Sequence, residues 1–455
     1  MLDSRLNARV NPRIQREKID FRAKFALFLL YGYYLLGKIF VYVSFPLVGL
    51  ALFDRRMLVD RVYTSLTKPG PLNVPSWILL LSTIYGVGEL IYGVLAGNPP
   101  ITALEVFVFN VCPWFLFIGM HAGMQRPSLV RTYVHFMLWY QAIATILHYS
   151  VLSHTKFVTG GMDWSELTGG TGTLVILGMI CFERNLARYW FPLLVCSFDT
   201  IANQIRADWV GLGIALTVWG VATKKMKRLC FVVGSIVALL AIGFIADVRL
   251  PAVAGRGGEL SARDTVGRAL SGIDPDLARE YSPSSATYAG TISWRENWWK
   301  AIRGIVFDGP VTTVFGLGYG YPIKDLVPYL KGLGDIRTPH SVFYFTLAYS
   351  GLLGVFAFFS FQASLIIVLW RVFRQTGQIF GLIVLIYLIS VSLFGNFFEA
   401  PQMATPSYLL LGMCIGPLFR DHDQYPVAED VRDCARFTRG GAVPLQPVIG
   451  RRSPY

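Results

Sequence analysis

The chain is 455 residues long, 54% hydrophobic and only 15% charged, with a mean hydropathy of +0.49. An average soluble domain carries roughly 25% charged residues. The composition therefore describes an integral membrane protein and excludes a disulfide-stapled secreted scaffold, a DNA-binding domain and an ordinary cytosolic enzyme. The net charge of +13, from 41 Lys+Arg against 28 Asp+Glu, suits cytoplasmic loops lying on anionic membrane lipid, and no nucleic-acid partner is expected.

A bilayer core of ~30 Å takes about 20 apolar residues per helix. Apolar runs fall at 25–53, 75–96, 102–120, 130–152, 170–183, 189–202, 207–223, 229–246, 341–371, 378–396 and 402–419. As one helix the first run would be ~43 Å long, more than a single upright span needs. Arg5, Arg9, Arg13, Arg16, Lys18, Arg22 and Lys24 precede it, and Arg55, Arg56, Arg61 and Lys68 follow it. The positive-inside rule puts both flanks in the cytoplasm, which requires an even number of crossings between them. The expectation is thus an all-α integral membrane protein with two short helices in that run and about 12 transmembrane helices in all.

The same rule divides the chain. Residues 1–24 form a basic cytoplasmic segment, 25–246 a helical bundle, 247–340 one large extracytoplasmic loop, 341–419 the C-terminal membrane helices and 420–455 a cytoplasmic tail. The N-terminus shows no small-residue cleavage pattern and reads as retained. Five cysteines lie in or beside apolar runs and Cys434 lies in the tail, so no structural disulfide is expected. The loop opens with a Gly/Ser/Pro-rich stretch from Arg249 to Ala289. Trp294, Trp298 and Ile302 then recur at four-residue spacing, with Trp299 beside them, which predicts a helix with its aromatic face in the membrane interface.

Several residues near the outer side have chemical potential. His340 ends the loop in Arg337-Thr338-Pro339-His340-Ser341, just before an apolar helix. The helix dipole and nearby Arg337 both disfavour a protonated ring, which suits a general base; alternatively these residues simply start and cap the helix. Arg206 lies in a short polar turn between two spans, where a cation is usually paired or bound to an anion, and Asp208 offers a local partner. Arg295 sits on the aromatic helix, and a guanidinium matches phosphate oxygens bidentately. For Lys300 and Arg303 a solvated face above the lipid headgroups is preferred. Phe315-Gly316-Leu317-Gly318-Tyr319-Gly320-Tyr321 is neither a Walker loop nor a dinucleotide fingerprint. It reads as backbone packed closely under a substrate or as a plain turn. The six histidines show no metal-ligand spacing, and His148 and His154 compete with His340 as base.

Taken in order, Arg206, Arg295 with Trp298, the Phe315–Gly320 turn, Thr338-Pro339-His340-Ser341, Tyr349-Ser350-Gly351-Leu352-Leu353-Gly354 and Asn396-Phe397-Phe398-Glu399-Ala400-Pro401 resemble the O-antigen ligase and polysaccharide polymerase family. The resemblance spans Asp199 to Gly416. The sequence departs from the family at Ser341, where Asn is common, and at Ile205, where Ser is common. The resemblance implies a GT-C-like glycosyltransferase of the bacterial inner membrane with its active site on the periplasmic face. Such an enzyme moves a glycan from undecaprenyl diphosphate to an acceptor hydroxyl with inversion, without cofactor or metal. It further implies His340 as the catalytic base and Arg206, Arg295 and Arg337 as diphosphate ligands, with Trp298, Gly318 and Gly320 as substrate contacts. The acceptor would be lipid A-core in a ligase or a growing glycan in a polymerase. A transporter or flippase of lipid-linked sugars is the alternative from another class, in which the same cations would line a path.

Overall fold

The computed structural model describes residues 21–52, 58–150, 171–203, 205–247, 249–251, 259–271, 274–282, 285–328 and 338–419. Each apolar run becomes helix. The first divides as its length demands, into α1 (Phe21–Leu36) and α2 (Lys38–Leu52), broken at Gly37 with φ +53°. There follow α3 (Val59–Thr67), α4 (Asn73–Leu95), α5 (Pro100–Val111), α6 (Phe115–Gln125), α7 (Leu129–Ser150), α8 (Thr171–Phe182), α9 (Trp190–Ala202), α10 (Arg206–Ala222) and α11 (Met226–Ile245). After the loop elements come α16 (Val342–Thr376), α17 (Phe380–Ser392) and α18 (Pro401–Ile415).

Among the described residues, four helical stretches are long and apolar enough to cross a membrane: Asn73–Leu95, Pro100–Gln125, Met226–Ile245 and Val342–Thr376. Helix α17 has 13 residues, ~20 Å of rise against a ~30 Å hydrocarbon core. It is nonetheless buried on almost every side, because it packs inside the bundle against α10, α16 and α18. A helix that is apolar all round belongs in such an interior. The start of α7 and the end of α8 share one end of the bundle, where Arg131 pairs with Glu183 at 2.9 Å.

The loop elements are β1 (Arg249–Pro251), β2 (Glu259–Ser261), α12 (Ala262–Leu270), α13 (Pro275–Tyr281), α14 (Ser285–Val306) and α15 (Pro310–Phe315). The two strands pair antiparallel, with Leu250 opposite Leu260; this ribbon is a departure from the all-α expectation. Ser261 caps α12, its hydroxyl accepting from the Asp264 N–H at 3.0 Å.

The closest helix contact joins α6 to α18. Gly119 and Gly123 on one side, and Gly412 and Gly416 on the other, follow a four-residue spacing that lets membrane helices approach backbone to backbone. A Cβ on Gly119 would stand 1.9 Å from the Leu409 carbonyl oxygen, and one on Gly412 2.0 Å from that of Leu116. Helix α16 bends at Gly351, which takes φ +60° and ψ −163° inside the element. The end of α15 enters this bend, since a Cβ on Gly351 would lie 2.3 Å from the Val314 carbonyl oxygen. Replacing Gly412 with Leu is expected to cost at least the ~1–3 kcal/mol typical of overpacking. The check is thermal unfolding in detergent, where a wild-type melting temperature would contradict the seam.

Candidate active site

Helix α14 positions the site. Trp298, Ile302 and Val306 are each 0% exposed and form one face at four-residue spacing. The Trp298 Nε1–H donates to the Ile323 carbonyl at 2.8 Å. The aromatic face expected to lie in the membrane interface is therefore buried within the protein, because the segment after α15 folds back over it. Trp298 is a packing residue here, not an accessible substrate contact.

With that face fixed, Trp294, Arg295 and Trp299 meet the turn at residues 338–341. The Trp299 Nε1–H donates to the Pro339 carbonyl at 2.9 Å, and its ring stacks on Tyr344 at 4.8 Å. The Trp294 ring meets His340 edge to face at 5.7 Å. The Arg295 guanidinium lies 5.4 Å from the centre of the Trp294 ring, and its Nη1 donates to the Phe394 carbonyl at 3.1 Å. Arg303 bonds the Tyr344 hydroxyl, while Lys300 is exposed.

His340 adopts φ +53°. Histidine is among the few residues enriched in this left-handed region, and such backbone strain gathers at functional sites. Ser341 occupies the N-cap position of α16 but its side chain makes no capping bond, so side-chain capping does not account for the turn.

Arg206 opens α10 and donates from Nη1 to the Ser271 hydroxyl at 2.7 Å. Burial lowers its pKa from the ordinary value, yet arginine keeps its charge in proteins. Asp208 accepts from the Tyr387 hydroxyl at 3.2 Å. Ser271 in turn bonds the Arg268 carbonyl at 2.9 Å, and Arg268, 3% exposed, adds a third arginine. Helix α12 packs against α11 and α14, the helix that carries Arg295.

The glycine-rich turn is buried elsewhere. Gly316, Gly318 and Gly320 all take positive φ. A Cβ on Gly318 would stand 3.0 Å from Gly93 Cα on α4, and one on Gly320 3.0 Å from Ala103 on α5. The Leu317 N–H donates to the Ala348 carbonyl at 2.8 Å. Gly318 and Gly320 thus let the turn pack closely on α4 and α5. Arg337 and His154 lie outside the described residues, as does the side chain of His148. Among the described residues, no three His, Cys, Asp or Glu gather as a metal-ligand set.

Two residues were given no role in the sequence reading. Arg268 lay in a stretch read as Gly/Ser/Pro-rich, although Ser261-x-x-Asp264 is a helix-start signature that marks α12. Glu399, a lone acid between two apolar runs, is 8% exposed. Burial pushes its pKa up to about 8, against the Thr338 hydroxyl, the Ser341 N–H and the Arg295 charge, which all lower it.

The architecture and these side chains define a helical membrane protein with a cationic site around one histidine. Residues 191–359 match the family model described as O-antigen ligase, so this segment of the chain is similar to that family. Arg206, Arg268, Arg295, His340 and Gly351 all fall inside the match, and Glu399 falls beyond it. No curated protein matches the chain.

The packing role of Trp298 separates from the positioning role of Trp299 by mutation. Trp298→Ala is expected to cost roughly 3–5 kcal/mol of stability. Trp299→Phe keeps a stacked ring, loses one hydrogen bond and costs about 1 kcal/mol. Denaturant or thermal titration ranks the two, and a fully stable Trp298→Ala protein would refute the packing assignment.

Proposed function

We propose that the protein is an O-antigen ligase-like glycosyltransferase that moves a glycan from undecaprenyl diphosphate to an acceptor hydroxyl on lipid A-core. In this reading about 12 helices cross the inner membrane. The loop of residues 247–340 and the His340 turn face the periplasm, with 1–24 and 420–455 in the cytoplasm. The observation that carries it is that Arg295 and His340 both lie against the Trp294 ring, within a segment that matches the family.

The chemistry follows from the residue types. His340 takes the proton of the acceptor hydroxyl as its oxygen attacks the anomeric carbon from the face opposite the diphosphate. The bond from that carbon to the diphosphate oxygen breaks, the configuration inverts, and undecaprenyl diphosphate leaves with the bonding pair. Arg206 and Arg295, with Arg337 in the same loop and buried Arg268 behind Ser271, supply positive charge where negative charge grows. Diphosphate is a good leaving group, so no strong general acid is required, and arginines do the work a divalent cation would otherwise do.

The test is transfer by purified protein in nanodiscs, with EDTA, a short undecaprenyl-diphosphate-linked glycan and lipid A-core. Arg206→Ala and Arg295→Ala are expected to lower the rate about 10²–10³-fold, and His340→Ala to abolish product. Chain extension by donor alone would make the protein a polymerase using the same site. Movement of donor across the membrane without transfer would make it a transporter.

A further inference from the structure

Glu399 is a buried acid that the chemistry above leaves unused. It stands between α17 and α18, beside the buried rings of Phe397 and Phe398. The Ala400 N–H donates to the Asn396 carbonyl at 3.1 Å, and the Ala404 N–H to the Ala400 carbonyl at 2.9 Å, so the segment is tied to the first turn of α18. Both carboxyl oxygens are sealed from solvent without a well-formed hydrogen bond. A charge in such a place needs compensation, and three groups provide it: the Thr338 hydroxyl, the Ser341 backbone N–H and the Arg295 guanidinium. Thr338 and Ser341 bracket His340. Arg295 also donates to Phe394, five residues before Glu399.

The turn that carries His340 is thereby approached from two sides. Helix α14 holds it through the Trp299 bond to Pro339 and the Trp294 ring, and the 394–400 segment brings the buried Glu399 carboxyl near Thr338, Ser341 and Arg295. We propose that Glu399 is a positioning residue of the transfer site, its carboxylate drawing in Thr338 and the Ser341 N–H to fix the left-handed backbone at His340 while its charge orients Arg295. This inference rests on the glycosyl-transfer reading given above. Glu399 touches no reacting atom; it acts through His340 and Arg295.

The anion balances the guanidinium and is the stronger acceptor for the Thr338 hydroxyl and the Ser341 N–H. Burial raises the pKa of Glu399 to about 8, so the positioned state gains population as pH rises through that value. The titratable groups around it are Arg295 on α14, Tyr349 on α16 and His340 in the turn itself.

The experiment compares wild type, Glu399→Gln and Glu399→Asp as full-length protein in nanodiscs, with undecaprenyl-diphosphate-linked glycan and either acceptor, from about pH 6 to about pH 9. A reacting group displaced by ~1 Å costs on the order of 10²-fold in rate. Glu399→Gln is expected to lower kcat by about that factor, more than it changes donor KM, and to erase the rise in rate near pH 8. Glu399→Asp is expected to keep the rise and recover part of kcat. Wild-type kcat in Glu399→Gln, or a lowered kcat with the rise intact, would overturn the proposal while leaving the transfer reading standing. If Glu399→Gln does not run as a folded species on size exclusion, Glu399→Asp decides alone: lowered kcat with the rise retained supports positioning, and unchanged kcat overturns it. A wild type that transfers to neither acceptor overturns this proposal and the transfer reading together.

Discussion

The site depends on one act of burial, that of the Trp298 face of α14. Once Trp298, Ile302 and Val306 are sealed in the core, the helical repeat leaves Arg295 and Trp299 no freedom about the axis. Trp299 then meets the His340 turn, and Arg295 meets the Phe394 carbonyl beside it. The buried indole is worth several kcal/mol in packing, enough to hold neighbours that contribute little on their own. The electrostatic side of the site follows: a guanidinium over an aromatic ring, a histidine in a strained backbone and a carboxyl beneath them.

That helix is itself kept in place by close backbone approach. The bend of α16 at Gly351 admits the end of α15, and the following turn lies on α4 and α5. The helices therefore act as a floor for the loop elements. Membrane helices gain little hydrophobic drive against lipid, so small residues and backbone contact do this work. The Gly119–Gly123 and Gly412–Gly416 seam between α6 and α18 is the same device deeper in the bundle.

Much of the fold was legible in the sequence because hydropathy acts over whole helices. The runs at 75–96, 207–223 and 341–371 correspond to α4, α10 and α16 within a few residues, and the charge argument for splitting 25–53 matches the break at Gly37. The buried environment of the α14 face was not legible, since an aromatic stripe looks alike whether lipid or protein covers it. The face was for that reason expected in the membrane interface. The close backbone packing read from the glycine-rich turn is present at Gly318 and Gly320, but spacing did not say that α4 and α5 would be the partners. Arg295 and His340 were singled out by their chemistry, and both lie against the Trp294 ring. Arg268 was passed over and Glu399 was quoted without a role, because their meaning lies in partners far away in sequence, Arg206 for one and Thr338 with Ser341 for the other.

The central claim is that Arg206 and Arg295, with His340 between them and the acceptor, form a diphosphate site. It is tested most directly by binding of undecaprenyl diphosphate, the product, to purified protein in nanodiscs without acceptor or metal. The account expects saturable binding that weakens roughly 10-fold or more in Arg206→Ala and in Arg295→Ala, as loss of a charge-assisted hydrogen bond requires, and that survives in His340→Ala. Equal affinity in all four proteins would contradict it.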